Sequence, residues 1–116
     1  MIKDNQVYLK HILDAINHIK EFIKNLDFNG FLNSQLYQSA VIRELEVIGE
    51  ATKNLTEDFC KEYPNVSWKD IAGMRDKLIH GYMGVNLEDV WKTAEDDIID
   101  LENQITKIIK KNNSNG

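Results

Sequence analysis

The sequence predicts an all-α fold: an antiparallel four-helix bundle with one or two additional short helices. Three observations predict it. Apolar residues recur at alternating spacings of three and four through several long segments. Cap and turn residues stand between those segments, so the connections are short and neighbouring helices run antiparallel. No segment alternates apolar and polar residues at the period of two that a half-buried strand requires.

Each element follows in chain order. From about Asn5 to Leu26, the residues Leu9, Ile12, Ile16, Ile19, Ile23 and Leu26 form one apolar stripe, with Lys10, Lys20, Glu21 and Lys24 largely off it. His11 and His18 flank that stripe a heptad apart. They read as packed or solvent-edge histidines, because no carboxylate sits at ligand spacing beside both. Phe28 to Asn33 reads as a turn or helical stub. A long helix follows, roughly Ser34 to Leu55, with Val41, Leu45, Ile48 and Leu55 as its core seam. A neighbouring stripe of Leu36, Ala40, Arg43, Val47 and Glu50 is apolar except for Arg43 and Glu50, which are two turns apart. Those two fit either a partly buried ion-pair stripe or the wall of a cleft. Gly49 in mid-helix costs roughly 1 kcal/mol against alanine, which close helix packing would explain.

Thr56 caps a short helix, Glu57 to Glu62, which Tyr63-Pro64 breaks. The next helix starts at Ser67, with Asp70 as a short-armed capping-box partner, and ends near His80 with Gly81 as the C′ residue. Gly81 to Asn86 is a loop, and Asn86 caps a last helix running to about Lys110 through Leu87, Trp91, Ala94, Ile98, Leu101, Ile105 and Ile108. Residues 1–111 are expected to form one domain and residues 112–116 a disordered tail. Trp68 and Trp91 fall where core or interface aromatics belong, and Cys60 reads as a small buried hydrophobe.

Composition narrows the classes. A chain of 116 residues, 42% apolar with one proline, suits a helical globular domain. A single cysteine excludes an intrachain disulfide and gives no metal cluster. No apolar run approaches the ~18 residues of a membrane span, and Met1 to Val7 lacks a signal-peptide core, so a cytoplasmic location is expected. The net charge of −5 argues against strong unguided binding to nucleic acid. A protein acting on RNA from so acidic a body needs its Arg and Lys gathered locally, and binds more weakly as salt rises.

The segment Ser67 to Gly84 concentrates the chemistry. Ile71, Ala72, Leu78 and Ile79 share one helix face, and Arg75 sits in its middle, where a guanidinium must be paired or open to a cleft. Gly73, Asp76 and His80 line a second stripe. Asp76 precedes His80 by four residues, the favourable order for an acid and a cation, and His80 lies at the helix C-terminus. Arg75 and His80 are five residues apart, about 140° around the helix. They act together only if one swings or a second chain contributes. On the residues alone, a capped helix end with an ion pair is the favoured reading of this pattern, ahead of a reactive site.

Arg75-Asp76-Lys77-Leu78-Ile79-His80-Gly81-Tyr82 resembles the Arg-x-x-x-x-His-x-Tyr motif of the HepT-like toxins of the HEPN superfamily. The upstream Arg43-Glu44-Leu45-Glu46-Val47-Ile48-Gly49-Glu50-Ala51, Trp68, and Val90-Trp91 are similar to that family too, and the likeness spans about Tyr8 to Ile109. The resemblance implies a HEPN-like bundle and a metal-independent endoribonuclease without cofactor. It implies the toxin of a type VII toxin–antitoxin system, with Arg75 and His80 catalytic in a homodimer cleft. Its substrate would be RNA, with tRNA and mRNA both candidates. Its partner would be a nucleotidyltransferase antitoxin that silences it by transferring AMP to Tyr82.

The residue types suit that chemistry. Histidine moves a proton near neutral pH, arginine holds a phosphate bidentately, and the RNA 2′-hydroxyl is an internal nucleophile. Asp76 would orient His80, with Arg43 and Glu50 supporting the site. The alternative within the same superfamily is a non-catalytic helical partner or substrate-binding subunit of a nucleotidyltransferase.

Overall fold

The computed structural model describes residues 4–80 and 86–114. Among the described residues every regular element is a helix, so the fold is all-α and HEPN-like. Helix α1 spans Asn5–Ile23, α2 Phe28–Leu32, α3 Gln35–Lys53, α4 Glu57–Glu62, α5 Trp68–His80, α6 Leu87–Lys92 and α7 Ile98–Ser114. A π-helical turn, Thr93–Asp97, joins α6 to α7.

The helix starts follow the sequence. Asp4 accepts from the Gln6 N–H, Asp27 from Gly30, Ser34 from Tyr37, Thr56 from Phe59, and Asn86 from Glu88 and Asp89. Each side-chain oxygen satisfies an N–H that has no partner within its own helix. Helix α5 begins at Trp68, directly after Ser67, whose carbonyl accepts from the Ile71 N–H. Helix α1 stops at Ile23 and not at Leu26, because the Leu26 N–H closes a turn onto Ile23 and Asp27 opens α2.

The apolar stripes meet in one core. Leu9, Ile12, Ile16 and Ile19 of α1, Val41, Leu45 and Ile48 of α3, and Ile98, Leu101 and Ile105 of α7 are buried together. Asn5, at the start of α1, bonds to Thr56 just past the end of α3, while His18, near the other end of α1, meets Glu44. The two helices therefore run antiparallel. Lys20 of α1 holds Glu102 early in α7 with a 3.1 Å contact, so that pair alternates in the same way. Trp68 is buried, its indole N–H donating to the Tyr63 carbonyl, and Trp91 packs on Phe31 with ring centres 5.3 Å apart. Cys60 is only half-buried at the core edge, and burial still pushes its thiol pKa up.

Two further features differ from the sequence reading. The last helix is not continuous from Leu87 to Lys110. Helix α6 packs on α2 and α3 whereas α7 packs on α1, and the π turn lies between those two docking directions. Helix α7 runs on to Ser114, three residues into the expected tail, whose last two residues lie outside the described residues, and Asn112 accepts a 3.0 Å hydrogen bond from the Tyr63 hydroxyl. A polar run of Asn and Ser has no local reason to stay helical, and that tertiary bond supplies one.

Candidate active site

The site is built where α5 crosses α3, and Gly49 permits the crossing. A Cβ at that position would lie 2.7 Å from the Arg75 Cβ, 3.0 Å from the Arg75 backbone nitrogen and 3.2 Å from the Ile71 carbonyl oxygen. The missing side chain lets α5 settle onto α3 with Arg75 directly over the contact. Gly73 is different, because a Cβ there would meet nothing within 4 Å. The stripe of α5 that holds Gly73 is open at that residue.

Arg75 is partly buried, its side chain 34% exposed. Its Nε donates to Glu50 Oε2 at 2.7 Å, and its Nη1 lies 3.4 Å from Asp76 Oδ1. The Lys53 ammonium bonds to both Asp76 oxygens, at 2.9 and 3.1 Å. Two acids and two bases thus alternate across the α3–α5 seam. Arg75, Glu50 and Arg43 line one cleft of about 270 Å³, together with Glu46 and with Tyr8 and His11 from α1. The sequence-derived residues therefore gather as follows. Arg75 contacts both Glu50 and Asp76, Arg43 shares a cleft with Arg75 and Glu50, and His80 is the last residue of α5, five positions beyond Arg75. Tyr82 lies outside the described residues.

Three neighbours are not legible in the sequence as site residues. Lys53 holds Asp76, which sequence spacing pairs only with His80. Tyr8 and His11 stand one turn apart on α1, with ring centres 6.0 Å apart and planes at 89°. An aromatic and a histidine at i, i+3 beside an apolar stripe are the signal that could have singled them out. The local charge is balanced where the sequence reading called for a gathering of Arg and Lys. Among the described residues, Glu46, Glu50 and Asp76 offset the charges of Arg43, Lys53 and Arg75. Among the described residues no group of three or more His, Cys, Asp or Glu is placed to hold a metal ion, and no helix is long and apolar enough to cross a membrane.

Most of the chain's length is similar to known proteins. A family model described as ribonuclease HepT-like matches residues 12–108. A protein of Thermococcus cleftensis, provisionally named ribonuclease HepT, is 44% identical over 110 residues, covering 95% of this chain and all of the relative. A protein of Caldanaerobacter subterraneus subsp. tengcongensis, provisionally named an RNase, is 43% identical over 95% of this chain and 98% of its own. A Methanocaldococcus jannaschii protein with a similar provisional name is 45% identical over 93% of this chain and 89% of its own. No solved structure gives a significant match. On the matched length and on these full-length likenesses, the chain belongs to the HepT-like ribonuclease family.

Proposed function

We propose that the protein is a metal-independent endoribonuclease toxin of a type VII toxin–antitoxin pair, with Arg75 and His80 as its catalytic residues. The observation that carries this reading is the placement of Arg75. It sits half-buried at a cleft, its Nε fixed by Glu50, in the same helix as His80. A guanidinium held through Nε can turn its Nη edge to a phosphate and stabilise the charge that builds there. In the reaction the 2′-oxygen attacks phosphorus, the bond to the 5′-oxygen breaks, and the 2′-hydroxyl proton is taken up as the leaving oxygen gains one. His80 carries one of these transfers. No step calls for a metal-bound water.

Two copies complete the site. With about 140° between Arg75 and His80 on one helix, a two-fold axis brings the arginine of one chain toward the histidine of the other. The open stripe at Gly73 suits a close approach of that kind. The partner antitoxin is a nucleotidyltransferase that attaches AMP to the Tyr82 hydroxyl. The added phosphate is anionic and bulky, and placed beside Arg75 and His80 it would exclude the RNA phosphate by charge and by volume. RNA, tRNA and mRNA alike, offers the same backbone to this chemistry.

One assay tests the reading. The wild type, Arg75→Ala, His80→Ala and Tyr82→Phe are each expressed with and without the partner transferase, and the purified proteins are given RNA in EDTA. Wild type is expected to arrest growth and cleave RNA in EDTA. The two alanine variants should lose about 10²–10⁴ in rate while keeping their helical spectrum. Tyr82→Phe should cleave, but gain no AMP mass and escape silencing. Growth without arrest on expression of the wild type alone would instead mark a non-catalytic partner subunit.

A further inference from the structure

Charges pair in register where α3 meets α5. On α3, Glu50 stands one turn before Lys53, the last residue of that helix, and on α5 Arg75 directly precedes Asp76. Across the seam Glu50 meets Arg75 and Lys53 meets Asp76. The proposed catalysis uses only the first pair. We infer that Lys53 is a positioning residue for the same site: by holding Asp76, it keeps that carboxylate from covering the guanidinium edge of Arg75 that a phosphate needs. The inference rests on the reading that Arg75 binds the RNA phosphate.

Two cations have a claim on Asp76, and distance ranks them. The Lys53 ammonium lies 2.9 Å from Oδ1 and 3.1 Å from Oδ2, so it donates to both oxygens. Arg75 Nη1 lies 3.4 Å from Oδ1, too long for a strong bond. Asp76 is thus within reach of Arg75 while Lys53 holds it more closely. Arg75 has five N–H donors, and its Nε is committed to Glu50 at 2.7 Å. The other four are on Nη1 and Nη2, an edge that a carboxylate or a phosphate takes in the same two-pronged way. The two anions therefore compete for it. Without Lys53, Arg75 is the one of these two cations left to draw the Asp76 carboxylate.

Two further observations set the role apart from simpler ones. Arg75 lines the cleft, whereas Lys53 is not among the described residues that do. Lys53 acts on that site through Asp76. The Lys53 and Asp76 side chains are 38% and 48% exposed, and so open a pair adds little to stability. Removing it should leave the fold intact and change the electrostatics at Arg75.

A double-mutant cycle on the intact protein tests this, with binding read apart from proton transfer. The probe is a short, labelled 2′-fluoro RNA of mixed sequence, which has no 2′-hydroxyl to attack phosphorus, and affinity is followed by fluorescence anisotropy. Lys53→Met is expected to weaken binding about three- to tenfold, and Lys53→Arg to keep most of the affinity. Asp76→Asn should bind at least as tightly as wild type. When Asp76→Asn is already present, adding Lys53→Met should change affinity by less than about twofold, because no carboxylate is left to take the arginine. Equal weakening by Lys53→Met with and without the Asp76 carboxylate would mean that Lys53 touches phosphate itself, and would overturn the positioning role. Weaker binding by Asp76→Asn, the result for a mere pin between the helices, would overturn it too. The two readings fail separately. Unchanged affinity in Arg75→Ala removes Arg75 as the phosphate ligand, and Lys53 loses its role with it. Weak binding by Arg75→Ala alongside an additive cycle for Lys53 and Asp76 removes the role of Lys53 alone.

Discussion

Arg75 shows how much a single side chain is asked to do here. In the middle of an apolar helix face it needs a counter-charge, and Glu50 supplies one at 2.7 Å from across the helix seam. With the arginine side chain a third exposed and the Glu50 side chain about half exposed, the pair contributes little to stability, about 0–1 kcal/mol. Its value lies in direction, since it sets where the remaining N–H groups can point. Glu50→Gln is therefore expected to leave the melting temperature nearly unchanged while single-turnover RNA cleavage slows about ten- to a hundredfold, the scale of a small misplacement. An unchanged cleavage rate would show that Arg75 is held in place by other contacts. Asp76 is placed differently. Its carboxylate is shared between Lys53 and Arg75, so it helps to pin α5 on α3 besides lying one turn before His80.

At the scale of the elements, the α3–α5 crossing governs the site, and Gly49 governs the crossing. Helix propensity alone favours alanine there by about 1 kcal/mol. A methyl group at 2.7 Å from the Arg75 Cβ and 3.0 Å from its backbone nitrogen has no flexible neighbour to displace, so α5 must move away from α3. Overpacking of that kind costs about 1–3 kcal/mol, which exceeds the propensity gain. Gly49→Ala should accordingly lower the melting temperature and also reduce cleavage, because the shift carries Arg75 off Glu50. A stabilised Gly49→Ala protein would show the helices to be looser at this contact than the distances imply. The π turn acts at the same scale. It lets one continuous run of helix dock in two directions, α6 onto α2 and α3, then α7 onto α1.

For the whole molecule, the proposed chemistry calls for a second copy. One chain places Arg75 and His80 on the same helix but about 140° apart. The stripe carrying Gly73 is open at that residue, where another backbone can approach. The protein is expected to be a homodimer at micromolar concentration by light scattering, and mixing Arg75→Ala with His80→Ala chains should recover part of the cleavage lost by each. A monomeric mass would leave the proposed site without its second half. The balanced charges around Arg75 add a further expectation at this scale. RNA affinity should be modest, and each Lys or Arg that meets a phosphate should steepen its fall with salt.

Much of this protein is written locally and can be read without coordinates. The spacings of Leu9 to Ile19 and of Ile98 to Ile108 specify amphipathic helices because burial of one face follows from a period of 3.6. Asp27, Ser34, Thr56 and Asn86 mark helix starts because each acts on an N–H two or three residues away. The motif Arg75 to His80 is legible for the same reason, as its members lie on one helix. What the sequence could not show are contacts between helices. The π turn leaves the apolar spacing intact, so Leu87 to Ile108 reads as one regular helix. Asn112 finds Tyr63, and Lys53 finds Asp76, only once the bundle has closed. Tyr8 and His11 come to share a cleft with Arg75 because α1 and α5 both pack on α3, an arrangement set by summed burial along three helices and by the absent side chain of Gly49.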